Sequence, residues 1–270
     1  MSAKAVSTWS LHRTLGSFVA IDPVSADRGA ARPSEPSGGL VLLDLPAELA
    51  RRGFDTVQLV HFHLPQRDAS YLNELRAALA EASITLDAVL IDSGDLVDPL
   101  DPDTNEAWIS GWIDDAMELG ASRVRVIAGK ASPTPELTAS SAARLSRLAA
   151  RHEGIRVVTE NWMALTPDAR SVRELLDLAG DSVGLLIDLA NWQSDDKYEQ
   201  LAAIAPLAET CHAKCHFDES GPDLADYRRT LGLLHEVGFD GPLALVYDGP
   251  DADEWAALEL EHATVQSVFA

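Results

Sequence analysis

Two carboxylates and an imidazole stand where three successive apolar runs stop. Glu160 follows IRVVT (155–159), Asp188 closes VGLLID (183–188), and His212 lies in TCHAKCH (210–216). If these runs are neighbouring strands, the three side chains share one end of a sheet. Two carboxylates and an imidazole suit a borderline-hard divalent ion such as Mn²⁺, Mg²⁺, Co²⁺ or Zn²⁺. Each also has an ordinary role taken singly. Glu160 could cap a helix, Asp188 could end its strand, and His212 could be a hydrogen-bonded core histidine. It is their matching depth that argues for a metal set.

The surroundings of His212 raise a second chemistry. Both cysteines of the chain, Cys211 and Cys215, and two of its eight histidines fall in CHAKCH. The segment lies between helical stretches and reads as a strand, where side chains alternate. His212, Lys214 and His216 then point one way, and Cys211, Ala213 and Cys215 the other. The four groups cannot converge on one zinc, and CxxxC misses the CxxC redox spacing. The cysteines are expected to pack as small buried residues. Lys214 shares the face of His212 and could stabilise an oxyanion or pair with an acid. Further candidates are His63 in FHLP and His12 in SLHRT, near the tops of strands two and one, as groups that could bind a polyol or a metal. Asn191 could orient a ligand or cap the next helix. Trp162 and Trp192, just after the two carboxylates, could pack on the apolar face of a sugar or simply on a lid.

The elements that must position these residues alternate along the whole chain. Strand candidates are 5–10, 54–60, 84–91, 123–127, 155–159, 183–188, 210–216 and 242–247. Several are nearly continuous in apolar, β-branched residues, as strands buried on both faces of a parallel sheet are. Helical stretches lie between them. Thr134-Pro135-Glu136 and Thr166-Pro167-Asp168 each offer an N-cap, a proline at the first helical position and an acid in the first turn. Leu224, Tyr227, Leu231, Leu234 and Val237 form a helical stripe that ends at Gly238. GFD at 53–55 and 238–240 marks a shared helix-to-strand turn. Eight such units predict an α/β fold, a single-domain (β/α)8 TIM barrel over 1–270. A doubly wound open sheet is the alternative, but neither GxGxxG nor GxxxxGK[ST] is present. An irregular Pro- and Gly-rich insertion at about 21–39 follows strand one, as a lid or as a plain insertion.

Composition narrows the partners. The net charge is −22, from 43 acidic against 21 basic residues, over 270 residues of which 46% are hydrophobic. That field disfavours nucleic acid and anionic membrane, and lowers the odds of a heavily charged anionic substrate. No apolar run approaches the ~18 residues of a membrane span, and the N-terminus lacks a signal-peptide core. A cytoplasmic protein is expected. A homo-oligomer is compatible with the sequence.

Taken together, SLHRTLG, FHLP, TENW, LIDLANW, HAK and DYRRTLGLLHEVGFDGPLALVYDG resemble the xylose-isomerase-like TIM barrel superfamily, among sugar phosphate isomerase/epimerase-type proteins. LIDLANW and HAK, followed by the DY helix and the GFDGPL strand, are the more specific segments. The resemblance implies a divalent metal at the barrel mouth held by Glu160, Asp188 and His212. It implies a sugar or polyol substrate and proton transfer through an enediolate. It also implies a fourth ligand, a glutamate on strand eight, and there this chain has Val246. Two-base epimerisation needs that acid. One-base isomerisation, or elimination by a lyase or dehydratase, does not, with Glu160 as the base and Lys214 assisting. Asp248, about one pleat repeat (~7 Å) beyond Val246, could reach the ion through water. A barrel that binds sugar without turning it over is the remaining reading. The DNA-repair endonucleases of the same superfamily would require more ligands and a basic groove.

Overall fold

The computed structural model describes residues 4–16 and 39–270. Among the described residues, eight parallel strands close into a barrel in the order β1-β8-β7-β6-β5-β4-β3-β2. They are β1 (Ala5–Ser7), β2 (Thr56–Val60), β3 (Thr85–Ile91), β4 (Arg123–Val126), β5 (Arg156–Glu160), β6 (Gly184–Asp188), β7 (Ala208–Lys214) and β8 (Leu243–Val246). The expected (β/α)8 TIM barrel is therefore the observed architecture. Each strand is followed by a helix: α1 (Leu45–Arg51), α2 (Ala69–Glu81), α3 (Pro102–Leu119), α4 (Pro135–Arg151), α5 (Ala169–Ala179), α6 (Lys197–Ile204), α7 (Leu224–Glu236) and α8 (Glu254–Val268). The insertion expected at 21–39 lies outside the described residues except for Gly39. Among the described residues, no helix is long and apolar enough to cross a membrane.

The apolar residues divide between two compartments. The larger lies between strands and helices and holds Cys211, Ala213 and Cys215 from β7 and its exit. The smaller lies inside the barrel and consists of Val60, Phe62, Ala88, Leu90, Val158 and Leu186. Thr210, His212 and Lys214 take the inward alternation of β7: Thr210 bonds to Gln58 of the facing wall, and His212 and Lys214 line a cavity. Burial pushes the Cys211 thiol well up and that of Cys215 to about 12, so both stay protonated packing groups.

Local signals account for most element boundaries. Thr134 accepts the Leu137 N–H at 3.2 Å, and Pro135 opens α4. The second Thr-Pro-Asp behaves differently. Asp168, not Thr166, caps α5 by accepting the Ser171 N–H at 2.8 Å. Thr166 is buried in the turn before it, its hydroxyl between the carbonyl oxygens of Glu160 (3.1 Å) and Trp162 (2.6 Å). The hydroxyl is consumed in leaving β5, so the helix starts at Ala169. The two GFD turns share their glycine conformation and the bonds of their glycine and phenylalanine. Gly53 and Gly238 have φ of +75° and +70°, and Phe54 and Phe239 donate back to Leu49 and Leu234 at 3.0 Å. Glycine adopts that left-handed backbone without a Cβ clash. Along α7, Tyr227, Leu231 and Leu234 are buried, whereas Val237 is 43% exposed just past the helix end.

Strand one is shorter than expected. It ends at Ser7, whose side chain accepts the Trp9 N–H at 3.3 Å and starts a tight helical turn over Thr8–Leu11. A single α-turn, His12–Leu15, follows.

Candidate metal centre

Glu160 and Asp188 are the last residues of β5 and β6, and His212 lies two residues before the end of β7. Asp188 is the direct register partner of His212, whereas Glu160 pairs with Leu186, so the barrel stagger brings all three to one depth. All three are buried, and one ligand atom from each lies within 4.8 Å of the others. His212 Nδ1 is 3.4 Å from Glu160 Oε1 and 3.5 Å from Asp188 Oδ2.

The remaining polar atoms around this point are accounted for one by one. Asp188 Oδ1 accepts the N–H groups of Ala190 and Asn191, at 2.7 and 2.8 Å, and this leaves Oδ2 toward His212. Asn161 clasps β6: its Oδ1 accepts the Asp188 N–H at 2.7 Å and its Nδ2 donates to the Asp188 carbonyl at 3.0 Å. Asn191 Nδ2 donates to Glu160 Oε1 at 2.9 Å. His212 Nε2 is 2.9 Å from Gln58 Oε1.

Arg125, on β4, is a site residue that the sequence reading missed, as are Asp92 and Trp9. Its Nε is 2.9 Å from Glu160 Oε2, its Nη2 is ion-paired with Asp92, and its Nη1 donates to the Ile91 carbonyl at 2.9 Å. Burial works against its charge, but Asp92 and Glu160 outweigh burial and hold its pKa above the usual value. Arg125 Nε and Glu160 Oε2 face each other as charges without hydrogen-bond alignment, and neither has a hydrogen-bond partner among the described residues. The signal in the sequence was Arg125 between the valines of RVRVI, a buried strand position that calls for an acid at its own level.

These donors fit a divalent cation. Two carboxylates and one imidazole nitrogen converge, the second imidazole nitrogen is occupied by Gln58, and Glu160 Oε2 is buried with no hydrogen-bond donor among the described residues. Burial pushes the His212 imidazole down, yet Glu160 and Asp188 overcome this and raise it to about 9. The pair of acids thus attracts positive charge to the place where a metal would sit.

The three residues form part of the floor of a cavity of about 110 Å³ at the C-terminal mouth of the barrel. Asp92, Arg125, Asn191 and Lys214 supply its other polar walls, and Trp9, Trp162 and Val246 its main apolar ones. Arg125 also lies over the Trp162 ring, 5.1 Å from its centroid. Trp192 is instead buried, with its indole N–H donating to the Thr166 carbonyl at 3.2 Å. Val246 is 3% exposed and in register with Lys214, so the wall of β8 at this level is apolar. Lys214 Nζ is ion-paired with Asp248. Burial depresses Lys214, but Asp188 and Asp248 raise it more, so it stays an ammonium.

His12 and His63 are not among the residues that line this cavity. His63 Nδ1 is 2.8 Å from Thr8 Oγ1, and its Nε2 is 3.2 Å from His12 Nδ1. Burial, with His12 and His61 adding to it, pushes His63 well below the usual imidazole value. His12 stacks on Phe62 with ring centroids 5.8 Å apart. The tight turn His61–His63 after β2 swings His63 toward the Thr8–Leu11 turn.

The chain belongs to the xylose isomerase-like TIM barrel family, whose model matches residues 46–264. Similar solved structures include a xylose isomerase-like TIM barrel protein from Mycobacterium smegmatis in complex with magnesium. It is 21% identical, with 87% of this chain and 94% of that chain covered and a TM-score of 0.65. D-allulose 3-epimerase from Methylomonas sp. is 15% identical, with 98% and 96% covered and a TM-score of 0.70. The probable 3-DHS dehydratase involved in petrobactin synthesis from Bacillus anthracis is 13% identical, with 100% and 99% covered and a TM-score of 0.69. At these identities the likeness is one of fold. Among the curated proteins there is no match.

Proposed function

We propose that this protein is a divalent-metal-dependent enzyme of the isomerase/epimerase type, acting on a sugar or polyol by enediolate-type proton transfer in the cytoplasm. The observation that carries the reading is the convergence of Glu160, Asp188 and His212 within 4.8 Å at the barrel mouth. That end of the barrel is where enzymes of this fold place their chemistry. The magnesium-bound and epimerase structures of similar fold support the same class.

Glu160, Asp188 and His212 would hold the ion, Mn²⁺, Mg²⁺, Co²⁺ or Zn²⁺. When bound, it supplies Lewis acidity that makes a C–H beside a substrate carbonyl acidic. Glu160, the proposed base, divides its oxygens: Oε1 lies by His212 and Asn191, and Oε2 faces Arg125 Nε. Arg125 holds that carboxylate in place. The Lys214 ammonium stabilises negative charge that develops on a substrate oxygen. Trp162 and Val246 offer apolar surface to the carbon skeleton.

Val246 sets the number of bases. An acid on β8 would face the substrate from the side opposite Glu160, and valine cannot move a proton. Asp92 is tied to Arg125 and Asp248 to Lys214. One-base chemistry is therefore favoured, as an isomerisation or, as a second reading, an elimination. The similarity to a probable dehydratase supports that second reading.

Elemental analysis of protein purified without chelator tests the proposal, with Glu160→Ala/Asp188→Ala as control. About one divalent ion per chain, absent from the control, is expected by the one-site reading. Ketose turnover then supports the isomerase and release of water the lyase. No metal as purified, and none taken up from added Mn²⁺, overturns the enzymatic reading.

A further inference from the structure

Beneath the candidate ligands the barrel interior is polar where packing alone would favour apolar residues. Gln58 on β2, Asp87 on β3 and Thr210 on β7 are buried and mutually bonded. Gln58 Nε2 is 2.8 Å from Asp87 Oδ2 and 3.0 Å from Thr210 Oγ1, and the Thr210 hydroxyl donates to Asp87 Oδ2 at 2.9 Å. Asp87 Oδ1 is ion-paired with Arg123, at the start of β4. At the other end, Gln58 Oε1 is 2.9 Å from His212 Nε2.

The order of donors along this chain follows from chemistry. Asp87, paired with Arg123, is a carboxylate and can only accept. The Gln58 atom that meets it must be the NH₂. The carboxamide oxygen then faces His212, and an oxygen there can only accept. His212 Nε2 must therefore carry a hydrogen. In the neutral ring, Nδ1 is left bare, and Nδ1 is the nitrogen that faces Glu160 and Asp188.

We propose that Gln58 is a positioning residue that fixes the Nε2–H tautomer of His212, with Asp87, Thr210 and Arg123 holding its carboxamide in the required orientation. Its purpose rests on the metal-centre reading, since a second hydrogen-bonded shell is what orients an imidazole ligand. The tautomer itself is a property of the chain without metal. The two can fail separately.

Long-range ¹H–¹⁵N spectra of ¹⁵N-histidine-labelled, metal-free protein at alkaline pH read the tautomer of the neutral ring. His212 is assigned by the signal lost in His212→Asn. The Nε2–H form is expected in the parent, and a dominant Nδ1–H form overturns the proposal. Gln58→Met removes the acceptor while keeping the length. It is expected to mix the tautomers and to weaken Zn²⁺ binding about 10- to 100-fold. An unchanged tautomer with Zn²⁺ affinity within about twofold of the parent, a fraction of that second-shell effect, would also overturn it. The parent spectrum decides the matter even where Gln58→Met misfolds. A parent that shows the Nε2–H form but takes up no Zn²⁺ supports the tautomer assignment and sinks the metal reading alone.

Discussion

Replacing Arg125 with methionine keeps the aliphatic stem and deletes the guanidinium. Three groups then lose a partner. Asp92 and Glu160 are left as acids with side chains 7% and 3% exposed, and the Ile91 carbonyl loses its 2.9 Å donor. Breaking a buried ion pair from one side costs about 3–5 kcal/mol, because the stranded charge cannot return to water. In a chain of about this size each kcal/mol moves Tm by about 2–4 °C, so Tm should fall by roughly 6–20 °C. Two controls separate lost charge from lost packing. Glu160→Gln in the same chain removes one stranded acid, and the double variant should be more stable than Arg125→Met alone. Saturating Mn²⁺ should raise the Tm of Arg125→Met more than that of the parent, because the ion takes over the charge that Arg125 balanced. Calorimetry with urea unfolding measures all three. A loss below about 1 kcal/mol, the range of exposed pairs, would refute the assignment of Arg125 as the buried counter-charge of Glu160. A double variant no more stable than the single would refute it as well.

Val246→Glu restores an acid on β8 in register with Lys214. It should tighten Mn²⁺ binding by at least about tenfold, as an added ligand of the right kind would, and lower the stability of the metal-free protein. Calorimetric titration reads the first and urea unfolding the second; unchanged affinity would mean that β8 stands too far from the site. Glu261 on α8 is buried, accepts the Cys215 N–H at 3.2 Å and has a second oxygen with no hydrogen-bond partner among the described residues. Burial pushes its carboxyl well above the usual value, so the folded protein holds it protonated. Its stabilising contribution is complete below the unfolded-chain value, near 4.5, and is lost as pH rises toward the raised folded value. Glu261→Gln has no such loss. Urea unfolding of both proteins from about pH 5 to 8 should show the variant gaining on the parent as pH rises, and a gap independent of pH would refute the assignment.

What could be read from the residues, and what could not, follows from the geometry of a strand. Its two-residue period says which side chains point inward, and that was enough to separate His212 and Lys214 from Cys211 and Cys215. Apolar runs buried on both faces made the eight strands legible, and the GFD turns marked where two of them begin. The period says nothing about depth, and depth is what assembles a site. It comes from the stagger between strands, which sets Glu160 opposite Leu186 but Asp188 opposite His212. Glu160, Asp188 and His212 escaped this difficulty because each stands at or near a strand end. Gln58, Asp87 and Arg125 did not, because each sits within a strand, in TVQLV, TLDAVLI and RVRV. Their partners lie on other strands, some far away in sequence: Gln58 meets His212, 154 residues on, and Thr210, 152 residues on. His12 and His63 stand apart from the described cavity for the opposite reason. They were placed by nearness to strand tops, but short turns after β1 and β2 decide where those side chains go. An interior amide, acid or arginine in an apolar strand is costly until it finds a partner across the barrel. Such a residue therefore marks the wall that positions a site, even where the sequence does not say which partner it meets.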